Sequence, residues 1–173
     1  MNAFLDLLKK LTNTGSQCVY CGREVPDGTF LCAACEREER SLYAEDGESG
    51  GVLHVFRYEG IIRQLIRRYK YDDMPWLAAF IAQRMAEFLE DYEVNADCLT
   101  FVPIHKNRLR IRGFDQAEAI AAHLGMLIGL PCVRLLERIR DTRPQFNLRA
   151  EERAGNTRGA FACIFLLYTA RCV

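Results

Sequence analysis

Apolar and polar side chains form two different patterns in the centre of the chain, short apolar runs and a helical repeat. Residues 99–104 form an apolar run that is short enough to be a buried strand. Residues 117–128 then repeat apolar side chains at the three-to-four-residue spacing of one helix face, and 132–136 form a second short apolar run. A helix between two strands of one sheet usually crosses over and makes them parallel. We therefore predict a parallel strand–helix–strand unit.

Residues that begin and end helices support these boundaries. Asp115, followed by Glu118 three positions later, has the pattern of a helix N-cap and its reciprocal partner. Gly129 is placed to stop the helix, and Pro131 blocks its continuation.

A basic loop is predicted between the first strand and this helix. It has four cationic residues and no acidic one: Lys106, Arg108, Arg110 and Arg112. In open parallel sheets, ligands bind beyond the carboxyl ends of the strands, where this loop would lie. Guanidinium groups suit phosphate oxygens, so we interpret the loop as an anion site. The alternative is a solvated loop whose arginines face water.

Several further elements are predicted upstream. Residues 61–71 have the pattern of an amphipathic helix, with an inner face of Ile61, Ile62, Leu65, Ile66 and Tyr69 and an outer face of Arg63, Arg67, Arg68 and Lys70. Residues 76–92 predict a second helix, 52–60 a strand, and 3–11 a short amphipathic helix. The charged, glycine-ended segment 36–51 predicts a boundary, which gives an N-terminal part (1–50) and a main domain (51–173).

Four of the eight cysteines predict a metal centre. Cys18, Cys21, Cys32 and Cys35 form two CxxC pairs, which can present four thiolates to one tetrahedral Zn²⁺. A redox pair and four unrelated buried thiols are the alternatives. Four protein ligands leave no open position, so we expect this zinc to be structural. The other four cysteines lack such spacing, and burial is their default interpretation: Cys98, Cys132, Cys163 and Cys172.

Charge and hydropathy limit the class of protein. The 23 basic and 23 acidic residues cancel, which argues against coating nucleic acid through bulk charge. Locally, residues 101–162 hold eleven basic and six acidic residues. The first twelve residues contain no secretory h-region, and the longest apolar run, 160–168, is too short to span a bilayer. We therefore expect a cytoplasmic protein without membrane insertion.

A second segment suits anion binding. Residues 137–156 have little apolar periodicity, and a loop of this length in a compact domain is usually functional or disordered. Its composition indicates an anion-binding flap rather than a linker.

These motifs together resemble the ComF/GntX family, the competence-associated proteins that fuse a zinc ribbon to a phosphoribosyltransferase-like domain. The resemblance rests on the double CxxC ribbon and on the segments YEGIIRQLIRRYKY, VPIHKNRLRIRGFDQAEAIA and RIRDTRPQFNLRAEERAGNTRGAF, in the same order over residues 18–162. It implies a type I phosphoribosyltransferase-like, doubly wound parallel sheet behind an N-terminal zinc ribbon. It also implies a role in natural transformation or DNA uptake, on single-stranded DNA beside a competence helicase.

By position, residues 103–116 resemble the segment that cradles pyrophosphate in these folds, and 140–156 resemble the mobile loop that closes over phosphoribosyl pyrophosphate (PRPP). The residues expected to bind phosphate, PRPP or the DNA backbone are His105, Arg108, Arg110, Arg112, Gly113, Asp115, Gln116, Thr142, Gln145, Arg153 and Asn156. No catalytic residue is assigned.

The end of the chain departs from the family pattern. Family members continue into an acidic, glycine-rich loop that grips the ribose 5-phosphate, whereas this chain ends in CIFLLYTARCV. The sheet is therefore expected to be incomplete, with an apolar edge through which the chain could dimerise. PRPP with Mg²⁺ is the expectation for an enzymatic, full-length form, and a zinc-stabilised protein-binding scaffold is a third reading.

Overall fold

The computed structural model describes residues 16–44, 48–49, 51–92, 95–143 and 148–164. The chain forms two compact units, Met1–Tyr92 and Glu93–Val173. The division predicted near residue 50 falls inside the first unit and stays a prediction. The helix predicted over 3–11 lies outside the described residues.

The described part of the first unit contains three helices and one hairpin. Helix α1 spans Ala33–Arg40, α2 spans Gly60–Tyr71 and α3 spans Leu77–Leu89. The strands β1 (Glu48–Ser49) and β2 (Val52–Leu53) pair antiparallel. The two helices predicted upstream are thus confirmed as α2 and α3, with α3 shorter at both ends.

The strand predicted over 52–60 is wrong beyond its first two residues. The rest of that segment runs beside 42–44 through a single bridge between Tyr43 and Phe56 and through the hydrogen bond from Arg57 N to Leu42 O (2.8 Å). The chain then turns, with Glu59 N donating to Arg57 O at 2.9 Å, and α2 begins at Gly60, so the extended conformation does not continue.

Helix α2 buries the face that its pattern predicts. Ile61, Ile62, Leu65 and Tyr69 are buried, and Ile66 is half-buried. Burial of these side chains in the core stabilises the helix, whose opposite face carries its basic residues.

The described part of the second unit contains three helices and one pair of strands, which are separated in sequence by the last of these helices. Helix α4 spans Lys106–Arg112, α5 spans Gln116–Ile128 and α6 spans Ala150–Thr157. The strands β3 (Leu136–Arg138) and β4 (Phe161–Cys163) pair antiparallel, with Leu136 opposite Cys163 and Arg138 opposite Phe161. The described residues therefore form a mixed α/β structure with small antiparallel sheets.

Helix α5 joins two segments that run parallel. Leu99 and Cys132 form a parallel bridge, in which Leu99 N donates to Pro131 O and Val133 N donates to Leu99 O, both at 2.8 Å. In the part of the chain that the structure describes, parallel pairing is confined to this bridge, so the two full-length strands predicted at 99–104 and 132–136 are not formed.

The ends of α5 follow their sequence signals. Asp115 caps the helix by accepting hydrogen bonds from Ala117 N (3.0 Å) and Glu118 N (3.4 Å), and Gly129 ends it in the left-handed region (φ 73°). The chain then folds back so closely that a Cβ on Gly125 would lie 2.5 Å from Leu130 O. Glycine at 125 therefore allows the return that brings Cys132 beside Leu99.

The basic loop predicted between the first strand and α5 is wrong, because its residues form the helix α4. His105 caps this helix through Nδ1, which accepts from Asn107 N (3.3 Å), and Gly113 ends it at φ 77°. No proline or glycine interrupts the residues in between, and arginine, lysine and leucine favour helices.

Candidate metal centre and candidate anion site

Two tight local structures present the four cysteines of the ribbon. After Cys18 and Cys21, Gly22 takes a left-handed conformation (φ 76°) and Gly22 N donates to Cys18 O (2.9 Å). Cys32 directly precedes α1, so Cys35 lies in the first turn of that helix. The first pair is therefore carried on a turn and the second on a helix start.

The four sulfur atoms form one compact cluster. All four Sγ atoms lie within 4.8 Å of one another, and Cys21 Sγ is 3.7 Å from Cys32 Sγ. A tetrahedral zinc with bonds of about 2.3 Å separates its sulfur ligands by about 3.8 Å, so the set fits such an ion. The arrangement excludes four unrelated buried thiols, and it is compatible with a structural zinc.

Local hydrogen bonds favour the thiolate form at two of these positions. The Arg23 backbone and side chain, whose Nε lies 3.3 Å from Sγ, lower the pKa of Cys21 to about 6. The backbone of Cys35 lowers the pKa of Cys32, whereas burial raises the pKa of Cys35 itself. Because metals bind the thiolate, these hydrogen bonds favour ligation at Cys21 and Cys32.

The ribbon is fastened to the helices of its own unit. Arg68 Nη1 on α2 donates to Val19 O (3.1 Å) and to Tyr20 O (2.9 Å). The rings of Phe30 and Phe80 pack with their centroids 5.5 Å apart. The segment that carries the cysteine cluster therefore forms part of the surface against which α2 and α3 pack.

Sequence reasoning missed one buried charge in this unit. Glu39 is fully buried (0% exposed), and its Oε1 accepts from Arg84 Nε at 2.7 Å, while Arg84 Nη1 pairs with Glu87 at 2.7 Å. Burial raises the pKa of Glu39 despite the arginine. The signal was present, since Glu39 follows the buried Cys35 by one helical turn and shares its face.

In the second unit, α4 and the segment after β3 are held together by polar contacts. Buried His105 lies 3.5 Å from Asp141 Oδ2 through Nδ1, and Asn107 Nδ2 donates to the same oxygen at 2.8 Å. Arg108 Nη2 donates to Thr142 O at 2.6 Å. These contacts bring His105, Arg108 and Thr142 together, as the predicted anion site requires. The same contacts occupy polar groups, such as Arg108 Nη2, that an anion would otherwise bind.

Thr142 and Asn156 organise the described part of the predicted flap. Buried Thr142 accepts from Arg138 through Oγ1. Asn156 binds the backbone of Arg143 twice, since Oδ1 accepts from its N (3.2 Å) and Nδ2 donates to its O (2.9 Å). Arg140 Nη2 donates to Asn156 O (3.1 Å) and Arg158 O (2.6 Å). The described flap is thus joined to α6, which the sequence did not predict.

The remaining predicted anion ligands fall into four groups. Asp115 is buried and its Oδ2 accepts from Ile104 N at 2.8 Å, so this carboxylate supports the fold, while Gly113 supplies the end of α4. Arg112 Nη1 donates to the buried Gln116 Oε1 at 3.0 Å. Arg110 and Arg153 are exposed. Gln145 lies outside the described residues.

The three arginines of α4 are therefore not equivalent. Arg108 and Arg112 donate to other groups of the protein, whereas Arg110 has no hydrogen-bond or ion-pair partner among the described residues. Arg108 and Arg112 bind groups of their own unit, whereas Arg110 and Ile111 are exposed, Ile111 to 85%.

Across the described ranges, no helix combines the length and the apolar character that crossing a membrane requires.

Two curated proteins match the chain over most of its length. Competence protein F of Haemophilus influenzae is 22% identical over 151 residues, which is 84% of this chain and 63% of that protein. Competence protein ComFC of Bacillus subtilis is 30% identical over 134 residues, which is 74% of this chain and 52% of that protein. No family model matches the chain. No solved structure matches it significantly.

The four clustered cysteines precede an α/β unit, in the order that the sequence motifs predicted. Membership of the ComF family is confirmed by the two relatives. The chain spans about half to two thirds of the length of these relatives.

Proposed function

We propose that this chain binds the phosphodiester backbone of single-stranded DNA during DNA uptake. The observation that carries the proposal is the surface of α4, a helix with four cationic residues and no acidic one, on which Arg110 is exposed and has no partner among the described residues. Phosphate contacts of this kind supply affinity without reading sequence. The names of both relatives link the family to competence.

The proposal includes a type I phosphoribosyltransferase-like sheet as the framework. The crossover from Leu99 through α5 to Cys132 supports it, because parallel strands joined by a helix are the repeating unit of such sheets. The basic helix follows the first of these segments, which is the end at which ligands of open sheets bind.

The metal in this proposal is a structural Zn²⁺ on Cys18, Cys21, Cys32 and Cys35. The 3.7 Å separation of two sulfurs supports zinc, and four thiolates would leave no position for a substrate. All seven described cysteines are free, which suits a reducing cytoplasm. A helicase partner and a dimer through a sheet edge stay predictions.

The test compares two variants for binding of a fluorescent oligothymidylate over a salt series. We expect Arg110→Ala to reduce the slope of log affinity against log salt by about 0.7, the value for one contact to a single strand. Arg37→Ala, an exposed arginine on α1, is the matched control and should leave the slope unchanged. Undetectable binding, or a slope that Arg110→Ala does not change, would overturn the proposal.

A second candidate is PRPP with Mg²⁺, which the crossover and the neighbouring basic residues also favour. Calorimetry separates the two ligands. Binding of PRPP with Mg²⁺ that Arg110→Ala weakens, without binding of oligothymidylate, would assign the site to PRPP instead.

A further inference from the structure

The outer face of α2 is a second basic surface, in the first unit and apart from the helix discussed above. Helix α2 carries four cationic residues and no acidic one. Arg63, Arg67 and Tyr71 succeed one another at four-residue intervals, which places them in one row along the helix. All three are exposed, and Arg63 and Arg67 have no partner among the described residues.

A hollow of about 280 Å³ lies at the carboxyl-terminal end of this row. Its lining residues are Gln64, Arg67, Arg68, Tyr71 and Asp72. Asp72 is the one acidic residue in the lining, and no ion pair joins it to either arginine. The hollow is therefore a cationic recess of a size that suits a phosphate group with part of a nucleoside rather than a folded peptide.

The second arginine of the hollow is held in place before any ligand arrives. Arg68 Nη1 makes both hydrogen bonds to the ribbon, at Val19 O and Tyr20 O, and the guanidinium carbon lies 5.5 Å from the centre of the Tyr20 ring. Nε and Nη2 of Arg68 have no hydrogen-bond partner in the part of the chain that the structure describes. A fixed guanidinium loses little conformational freedom when it binds an oxyanion.

Aromatic surface adjoins these charges. The Tyr71 side chain is 59% exposed at the rim of the hollow. Surfaces for single-stranded nucleic acid combine a row of cations along the backbone with aromatic rings on which bases stack. An acidic protein segment would match the charge, but it would not use an exposed ring.

We propose that the outer face of α2 is a further binding site for single-stranded nucleic acid. Arg63 and Arg67 contact successive phosphates, the hollow between Arg67 and Arg68 receives one of them, and a base stacks on Tyr71. This site is independent of α4, and it stands or falls separately from the function proposed above.

The test uses the whole zinc-loaded chain and a fluorescent oligothymidylate. We expect Arg63→Ala combined with Arg67→Ala to reduce the salt slope by about 1.4, from two lost phosphate contacts. We expect Tyr71→Ala to weaken binding about tenfold with little change in the slope, because a stacked base contributes about 1–3 kcal/mol. The matched controls are Arg37→Ala and Tyr58→Ala, since Tyr58 is 60% exposed.

Each pattern of results has one meaning. A reduced slope in the arginine double variant, with Arg110→Ala acting separately, supports both sites. An unchanged slope in the double variant while Arg110→Ala lowers it overturns the α2 site and leaves the α4 proposal standing. Displacement of the oligothymidylate by polyglutamate of equal charge, together with no effect of Tyr71→Ala, would overturn it in favour of an acidic protein partner.

Discussion

The cysteine ribbon and the basic helix α4 differ in how their chemical groups relate to the fold. In the ribbon, four residues of one type, spaced as two pairs, all meet at one centre. In α4, residues of one type differ in their surroundings, since Arg108 and Arg112 donate hydrogen bonds to other groups of the protein and Arg110 is exposed. The number of arginines in a sequence cluster therefore does not give the number of arginines that are accessible to a ligand.

The physical reason is the reach and the chemistry of the side chains. A cysteine thiolate is short and has few partners other than a metal, so its position on the chain decides its role. A guanidinium has five donors on a long stem, and nearby carbonyl oxygens such as Thr142 O compete with any external ligand for them. The comparison yields four predictions.

The largest effect is expected when the metal ligand set is broken. Cys35→Ser removes a buried ligand, and the ribbon should lose most of the folding energy that zinc supplies, about 10–16 kcal/mol apparent in zinc-finger peptides. Metal analysis and thermal unfolding monitored by circular dichroism check this. Cys98→Ser, at a buried cysteine outside the cluster, is the control for zinc content and should retain it.

The second effect concerns the buried ion pair beneath the ribbon. Arg84→Ala should lower the free energy of unfolding by about 3–5 kcal/mol, because it leaves the buried Glu39 carboxylate without its partner. Glu39→Ala should cost less, because Arg84 keeps its ion pair with Glu87. The double variant should cost less than the sum. Urea unfolding measures all three.

The exposed pair of Glu36 and Arg40, 2.9 Å apart on α1, is the matched control for that cycle. Its removal should cost about 1 kcal/mol or less. Equal costs for the two pairs would show that burial does not distinguish them.

The third effect separates two arginines of one helix. Arg108→Ala should lower the free energy of unfolding by about 1.5–3 kcal/mol, since a hydrogen bond from a charged group to Thr142 O is lost. Arg110→Ala should leave stability nearly unchanged while it weakens binding of single-stranded DNA. Urea unfolding measures the stability of both variants, and fluorescence anisotropy measures their binding of single-stranded DNA. An equal loss of stability in the two variants would contradict the difference between Arg108 and Arg110.

The smallest effect belongs to a buried imidazole that neither region uses. Burial lowers the pKa of His123, so the unfolded chain binds a proton there at a higher pH than the folded chain does. The free energy of unfolding is therefore not reduced by His123 above about pH 6.5, and it decreases as the pH falls from there toward the lowered pKa. His123→Asn should make urea unfolding less dependent on pH in this window, and an unchanged dependence would contradict the prediction.

Local signals predicted much of this structure. The CxxC spacing placed the metal centre, Asp115 and Gly129 placed both ends of α5, and the apolar face of α2 is buried as its pattern indicated. Each of these features depends on residues close together in sequence. Each also uses chemistry that few other residues can supply.

Two features could not be predicted in this way. The alternation of arginine with leucine and isoleucine over 108–112 resembles a polar loop or a strand. A histidine is also an uncommon N-cap residue, so the pattern did not predict α4. The internal use of Arg108 and Arg140 depends on partners 34 and 16 to 18 positions away. Such contacts become visible only when the fold is known.

The double hydrogen bond between Asn156 and Arg143 has a mechanical consequence. Because one amide side chain holds both the N–H and the C=O of Arg143, the segment after β3 cannot lift away from α6 without losing both bonds together. Arg140 binds the same end of the helix, where it donates to Asn156 O and Arg158 O. Separation of the segment from the helix would therefore break these hydrogen bonds as well, and hydrogen exchange at the Arg143 amide would report that opening.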